Sequence, residues 1–219
     1  MNLSSVCLVA VDGSKSRQRL DLLIKIAEYA RKSIQFNSIK IFTGCEDIPT
    51  MSDIEFKHVN IPSIPVYNRF ILQQLHMHIP CEHCIIFQHD GFIINPGEWT
   101  DEFLQYDYIG ALFKHKKHSE EIVGNGGFSF RTRALMEFVA TIKNKNFRKH
   151  EDVTICVDHR KTVEQAGFVF AKPGIAGRFS LEEPTKYNTD IDKSFGFHGS
   201  SKRPHMYKRT QDIINDILS

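Results

Sequence analysis

The run Val6-Cys-Leu-Val-Ala-Val11 is apolar without a break and stops at Asp12-Gly13-Ser14. A strand that is apolar throughout must be covered on both faces, the condition of a central strand in a parallel sheet. The next stretch supplies the cover. Leu20, Leu23, Ala27, Ala30 and Ile34 recur at three- and four-residue spacing, the stripe of a helix lying on a sheet. Ser38 to Phe42 reads as a second strand, and strand, helix and strand in this order make a right-handed crossover unit. Phe56 to Asn60 reads as a third strand, stopped by Pro62 and Pro65, and Val66 to Met77 as a helix with Tyr67, Phe70, Ile71 and Leu75 on one side. The expected fold class is therefore α/β, with a mostly parallel central sheet and flanking helices.

A further apolar run, Cys84-Ile-Ile-Phe87, ends in Gln88-His89-Asp90-Gly91. In an open α/β sheet, ligands collect where strands end at their carboxyl edge. A carboxylate there, before the turn-forming Asn95-Pro96-Gly97, suits a hard divalent cation held through oxygen. Asp-Gly is also a common turn dipeptide, so the residues alone leave both readings open.

Beyond this strand the sequence becomes loop-rich. A short helix is expected over Trp99 to Leu104, a strand or turn over Tyr106 to Gly110, and a basic loop from Lys114 to His118. Gly124-Asn125-Gly126-Gly127 stands directly before a strand, and Leu135, Phe138, Val139 and Ile142 form a helix face. Glu151-Asp152 precedes a helical stretch from Val153 to Gln165, where acidic residues complement the helix dipole. A strand is expected at Val169 to Ala171, then a glycine-bounded His198, a basic segment and a final helix from Thr210 to Leu218.

The chain has 219 residues, 41% apolar and 25% charged, which suits one soluble globular domain. Its net charge of +2 is too small to imply a nucleic-acid partner by itself. Five cysteines, with no secretory signal or long apolar span, point to a reducing cytoplasmic compartment and free thiols. Cys81-Glu-His-Cys84 has redox or zinc spacing but no second pair, and is read as structural.

The motifs FQHDGFI, YDYIGA, GNGGFSFR, HEDVTIC and SFGFHG, in this order, resemble those of nucleotide-sugar glycosyltransferases of the GT-A fold. They are more closely similar to a family of glycosyltransferase-like domains of unknown function. The resemblance runs from Val6 to Gly199. It implies a single GT-A domain over 1–219: a nucleotide-sugar half (1–95), an acceptor and catalytic half (96–199) and a basic tail with a helix (200–219).

The resemblance also implies roles. Asp90 matches the last carboxylate of an Asp-x-Asp metal motif whose first place is taken by Gln88, so Mn²⁺ or Mg²⁺ would meet one negative charge fewer. His198 matches the late histidine that completes the metal shell. His89, expected on the opposite face, is read as a packing residue. Val11 and Asp12 match the nucleotide grip, and Arg69, Lys202 and Arg203 are placed for the diphosphate. Gly124, Gly126 and Gly127 would let the backbone approach the acceptor, with Asn125 aimed at a hydroxyl. Asp152 matches the general base of an inverting enzyme, with Glu151 orienting it or the acceptor.

The implied function is metal-dependent transfer of a sugar from a nucleotide-diphosphate sugar to a hydroxyl. The acceptor would be a glycan, a small molecule or a hydroxymethylated base in DNA, the last approached through the basic clusters at Lys114–His118, Lys143–Lys149 and Lys202–Arg209. The departure at Gln88 keeps open an alternative, a non-catalytic carbohydrate- or nucleotide-binding domain with a degenerate site.

Overall fold

The computed structural model describes residues 1–115, 118, 120–199, 212, 213 and 215. The chain begins with strand β1 (Asn2–Asp12), helix α1 (Arg17–Arg31) and strand β2 (Gln35–Thr43). The Ser16 side chain caps α1 by accepting from the Arg19 amide, satisfying one of the donors that a helix start leaves open. Strand β3 (Glu55–His58), helix α2 (Ile64–Gln73) and strand β4 (His83–Phe87) complete the first half. Pro65 sits in the first turn of α2, where its missing N–H costs nothing. That helix ends before Met77, and Leu75–His78 tightens into a 3₁₀ turn.

The second half holds strand β5 (Tyr108–Gly110), the short pair β6 (Leu112–Phe113) and β7 (Ile122–Val123), strand β8 (Ser129–Thr132) and helix α3 (Arg133–Thr141). Then come α4 (Glu151–Val153), α5 (Arg160–Gln165), α6 (Pro173–Phe179) and the strand pair β9 (Ser180–Leu181) and β10 (Gly196–Phe197).

Six strands form one sheet in the order β3-β2-β1-β4-β8-β5. The first four run parallel, and β8 lies antiparallel between β4 and β5. After β1 the chain steps outward to β2 and β3, then returns to place β4 on the other side of β1. The loops leaving β1 and β4 therefore diverge, and a crevice opens at their carboxyl ends.

Three expectations change in detail. Trp99–Leu104 is replaced by two 3₁₀ turns, Pro96–Glu98 and Asp101–Gln105. The stretch from Val153 is broken by a π turn at Thr154–Asp158, closed by the His159 amide on the Thr154 carbonyl at 3.0 Å. At that wider turn three consecutive residues, Thr154, Ile155 and Cys156, face inward, an adjustment often found beside functional sites. Val169–Ala171 makes only a single parallel bridge, Tyr108 to Phe170, because Pro173 starts α6. The expected helix over Thr210–Leu218 and the basic segment before it lie almost wholly outside the described residues.

Candidate active site

The crevice is a cleft of about 630 Å³, lined by Val11 and Asp12 from the end of β1 and by Gln88, His89 and Asp90 from the end of β4. Asn125, Gly126, Gly127, Glu151, Asp152 and His198 line it as well. Residues up to 187 positions apart in sequence thus line one cleft, because the sheet order sets β1 beside β4 and the late pair β9 and β10 folds back over the β4 turn. The Gln88 and Gly91 amides and carbonyls close that turn on each other at 2.8 and 3.2 Å. Asp90-Gly91 is therefore a tight turn and part of the cleft at once.

His198 is seated in a place built for a flat ring. A Cβ on Gly127 would come within 2.0 Å of its Nε2, and one on Gly91 within 2.6 Å of its Cδ2. Both are closer than atoms can approach, so each position must lack a side chain. The Nε2 atom lies 3.3 Å from Gln88 Oε1 and 3.8 Å from Asp90 Oδ1, and Nδ1 lies 3.4 Å from Glu182 Oε1. Burial opposes charging the ring, but the carboxylates of Glu182 and Asp90 outweigh it and raise the imidazole above its ordinary pKa. Asp90 Oδ1 is buried and has no hydrogen-bond partner. The His89 and His198 rings stand 3.7 and 3.8 Å from it, too far for a hydrogen bond, and a buried carboxylate oxygen without one is costly unless a cation comes closer.

The opposite wall is fixed by an ion pair inside the protein. Arg131, on β8, is fully buried and donates to Glu151 Oε1 at 2.8 Å and to Ser129 Oγ at 3.1 Å. A Cβ on Gly126 would strike Glu151 Oε1 at 1.6 Å, so the glycine makes room for the pair. Burial pushes the Glu151 carboxyl above its ordinary pKa, against the pull of Arg131. Glu151 is therefore anchored from behind, while Asp152, the next residue, lines the cleft with one oxygen accepting from the Val153 amide at 2.8 Å. Asn68 adds a brace from α2, donating to the carbonyls of Phe147 and Lys149 at 2.9 and 2.7 Å.

Several expected residues stand elsewhere or act differently. Arg69 does not line the cleft; its guanidinium lies 5.0 Å over the Phe147 ring, beside a separate cavity of about 310 Å³, because its position on α2 points away from the β4 turn. Gly124 lies behind the wall, its missing side chain replaced by the Phe113 ring. The Asn125 amide is engaged within the protein, donating to Glu182 Oε2 at 2.6 Å and accepting from the Gly127 amide at 3.0 Å. His89 lines the cleft instead of turning away, with Arg19 against its ring nitrogens at 2.8 and 3.2 Å. Lys202 and Arg203 lie outside the described residues. Of the basic cluster near Lys149, Lys145 caps the carbonyls ending α3 and Lys149 pairs with Asp158.

Sequence reasoning missed Arg19, Tyr67, Arg131 and Glu182. Tyr67 receives the Gln88 amide at 3.1 Å and so fixes which way that side chain faces. Arg131 carried a signal: it follows Phe128 and Phe130 at the alternation of a strand, which places it on the sheet's other face. Glu182 carried none, since no motif surrounds it.

Among the described residues no group of three or more His, Cys, Asp or Glu side chains is placed to hold a metal ion. The donors that do meet are Asp90 Oδ1, His198 Nε2 and the Gln88 amide oxygen. Ligands about 2.1 Å from one ion are at most about 4.2 Å apart, and the 3.3 and 3.8 Å separations fall within that limit. The unpartnered Asp90 oxygen and the His198 cradle thus fit a divalent cation that takes its remaining ligands from water and a bound phosphate, as Mg²⁺ commonly does. His89 suits this role less, because the Arg19 guanidinium already lies against its nitrogens.

Among solved structures, the galactosyltransferase LgtC, in complex with donor and acceptor sugar analogs, is similar to this chain at 12% identity with a TM-score of 0.54. The match covers 98% of this chain and 96% of that one. A glycosyltransferase involved in glycosylation of the major capsid of PBCV-1 matches at 12% identity over 94% and 99% of the two chains, with a TM-score of 0.46. The mixed α/β architecture with its mostly parallel sheet is the GT-A glycosyltransferase fold. No helix among the described residues is long and apolar enough to cross a membrane. No curated protein matches the chain at a significant level. Residues 50–198, well over half of the sequence, match the family described as "Protein of unknown function (DUF5672)", and the chain belongs to that family.

Proposed function

We propose that this protein is a metal-dependent glycosyltransferase that moves a sugar from a nucleotide-diphosphate donor to an acceptor hydroxyl with inversion. One observation carries the reading. A buried carboxylate oxygen that accepts no hydrogen bond, beside an imidazole (Asp90 and His198), faces the same cleft as an acidic residue at a helix start (Asp152). The charge of the cleft argues in the same direction. Asp12, Asp90, Glu151, Asp152 and Glu182 all line it, with Arg19 as the guanidinium among the lining residues. A diphosphate entering so acidic a space needs a cation to accompany it.

In this mechanism Val11 and Asp12 border the nucleotide. The Asp12 carboxylate is held by the Ser14 amide and hydroxyl at 2.9 and 3.0 Å, which keeps the loop after β1 in shape to receive it. Asp90 and His198, with the Gln88 amide oxygen, would hold Mn²⁺ or Mg²⁺, which would supply charge stabilisation to the departing diphosphate. Asp152 takes the proton from the acceptor oxygen as that oxygen bonds to the anomeric carbon and the bond from that carbon to the diphosphate breaks. Glu151, tied to Arg131, keeps the helix start and hence Asp152 in place.

The test is a panel of nucleotide sugars with and without Mn²⁺, read first by thermal shift and then by donor hydrolysis and transfer. A donor that binds the folded state raises the melting temperature. Asp152→Asn is expected to lower turnover about 10²- to 10⁴-fold while leaving the donor-induced shift intact. Asp90→Ala is expected to remove the Mn²⁺ dependence of that shift. If no donor shifts the protein and none is hydrolysed, the proposal fails.

A second reading has one specific observation behind it. Gln88 stands where a second carboxylate would strengthen the metal site, and its amide is already tied to Tyr67 and His198. That favours a sugar- or nucleotide-binding domain without transfer. On this reading donors bind, nothing turns over, and Asp152→Asn changes nothing.

A further inference from the structure

Two side chains on the cleft wall keep bonding positions that no protein group fills, one an acceptor and one a donor. Glu151 is only 4% exposed, and its Oε1 takes the Arg131 guanidinium at 2.8 Å. Its Oε2 is also buried and has no hydrogen-bond partner. Tyr67, from α2, lines the same cleft, and its hydroxyl oxygen accepts the Gln88 amide at 3.1 Å. Among the described residues nothing accepts the proton of that hydroxyl. Burial and the nearby Glu151 carboxylate both raise the phenol above its ordinary pKa, so the proton stays on it. The two groups are brought to one wall by Asn68. This residue follows Tyr67 and donates to the carbonyl of Lys149, two positions before Glu151, at 2.7 Å.

We infer that Tyr67 and Glu151 read the sugar: the Tyr67 hydroxyl donates to, and Glu151 Oε2 accepts from, adjacent hydroxyls of the sugar being transferred. The inference rests on the glycosyltransferase reading above and names the residues that choose its donor. A sugar hydroxyl both gives and takes hydrogen bonds, so a donor and an acceptor on one wall suit neighbouring hydroxyls of a sugar ring. A phosphate offers acceptors alone and would be repelled by Glu151. Position selects the donor's sugar over the acceptor. Tyr67 is bonded to Gln88, on the side given to the diphosphate, while Glu151 adjoins Asp152, the proposed base. In an inverting transfer the sugar lies between leaving group and base, because attack comes from the face opposite the bond that breaks. Arg131 holds Oε1, and so fixes where Oε2 stands. A site with such fixed polar groups rejects a ligand lacking the matching hydroxyl, since the groups are then left unpaired.

The experiment is a thermodynamic cycle on the whole protein with Mn²⁺ present, read by titration calorimetry. The probes are UDP-glucose, UDP-galactose, UDP-N-acetylglucosamine and GDP-mannose, each with monodeoxy derivatives lacking one sugar hydroxyl. Wild type is expected to bind at least one parent, and removal of either of two adjacent hydroxyls should weaken that binding about five- to a hundredfold. Tyr67→Phe deletes the donor alone. Glu151→Gln keeps an oxygen for Arg131 and puts an amide donor where Oε2 stood. Each variant should bind the parent more weakly and lose the penalty at its own hydroxyl, so that parent and deoxy derivative bind alike. Whatever a substitution does to all donors equally, including loss of the Tyr67 bond to Gln88, cancels in that comparison. A merely structural role would leave both penalties at their wild-type size. Tyr67→Phe keeps the ring and guards against a Glu151 variant that fails to fold.

Two results overturn the inference alone. One is a full deoxy penalty at every hydroxyl in both variants. The other is a wild-type protein that binds a donor yet is indifferent to each missing hydroxyl, which would hand the pair to the acceptor. If wild type binds none of the parents, the glycosyltransferase reading falls and takes this inference with it.

Discussion

Strands β3, β2, β1 and β4 and the helix α1 are held by aliphatic side chains such as Val6, Leu8, Leu23, Ile41 and Ile85, all buried. Across β4 the packing changes. Phe128 stacks on Phe179 at 5.0 Å, Phe103 meets Phe179 edge-on at 5.3 Å, and Trp99 meets Phe195 edge-on at the same distance. On the opposite face of β8 lies the Arg131–Glu151 ion pair, also under full cover. The first region is a non-directional apolar core that tolerates small exchanges. The second is directional: rings, ions and glycines fit in one arrangement, and that arrangement forms the acidic wall of the cleft.

This contrast can be broken by mutation. The largest effect is expected for Arg131→Ala, which strands the Glu151 carboxylate without a partner and should cost about 3–5 kcal/mol in urea unfolding. Replacing both partners, Arg131→Met with Glu151→Leu, should recover much of that stability, since a buried pair is often matched by apolar residues of similar size. Ile41→Val on the aliphatic side should cost only about 0.5–1.5 kcal/mol. If Ile41→Val proves as damaging as Arg131→Ala, the two regions do not differ as argued.

The smallest effect concerns His83, at the amino end of β4. Its ring is buried against Phe130 and its Nδ1 has no partner. Burial lowers its pKa below the ordinary value, so the folded state resists a proton that the unfolded chain accepts near about 6.5. Its contribution to stability is present above that value and is lost as pH falls through the lower folded pKa. His83→Phe should flatten this part of the stability profile without abolishing it, because burial also lowers the pKa of His78 and His89.

The same contrast explains what the sequence disclosed. In the first half, unbroken apolar runs and a 3.6-residue stripe announce β1, α1, β2 and β4, because two-sided burial leaves a periodic trace. In the second half β6, β7, β9 and β10 have two residues each, too few for any period to show. Asp90, Asp152 and His198 were legible through their motifs, and the cleft does gather them. Arg69 was misjudged because a helix position does not reveal which side of the sheet it will face. Glu182 was invisible because its place follows from the pairing of β9 with β10, a contact between segments that carry no pattern of their own.

The strand that delivers His198 is the last of the described strands, and this has a consequence in time. During synthesis the amino-terminal strands can pair as soon as β4 has emerged, since domains tend to assemble from the end made first. The imidazole joins them only after more than a hundred further residues have been added. Until the ribosome has passed Phe197, the nascent chain can own a sheet and half a pocket, yet the ring that faces Asp90 has not been made. The cleft therefore gains its imidazole long after its first wall has been made.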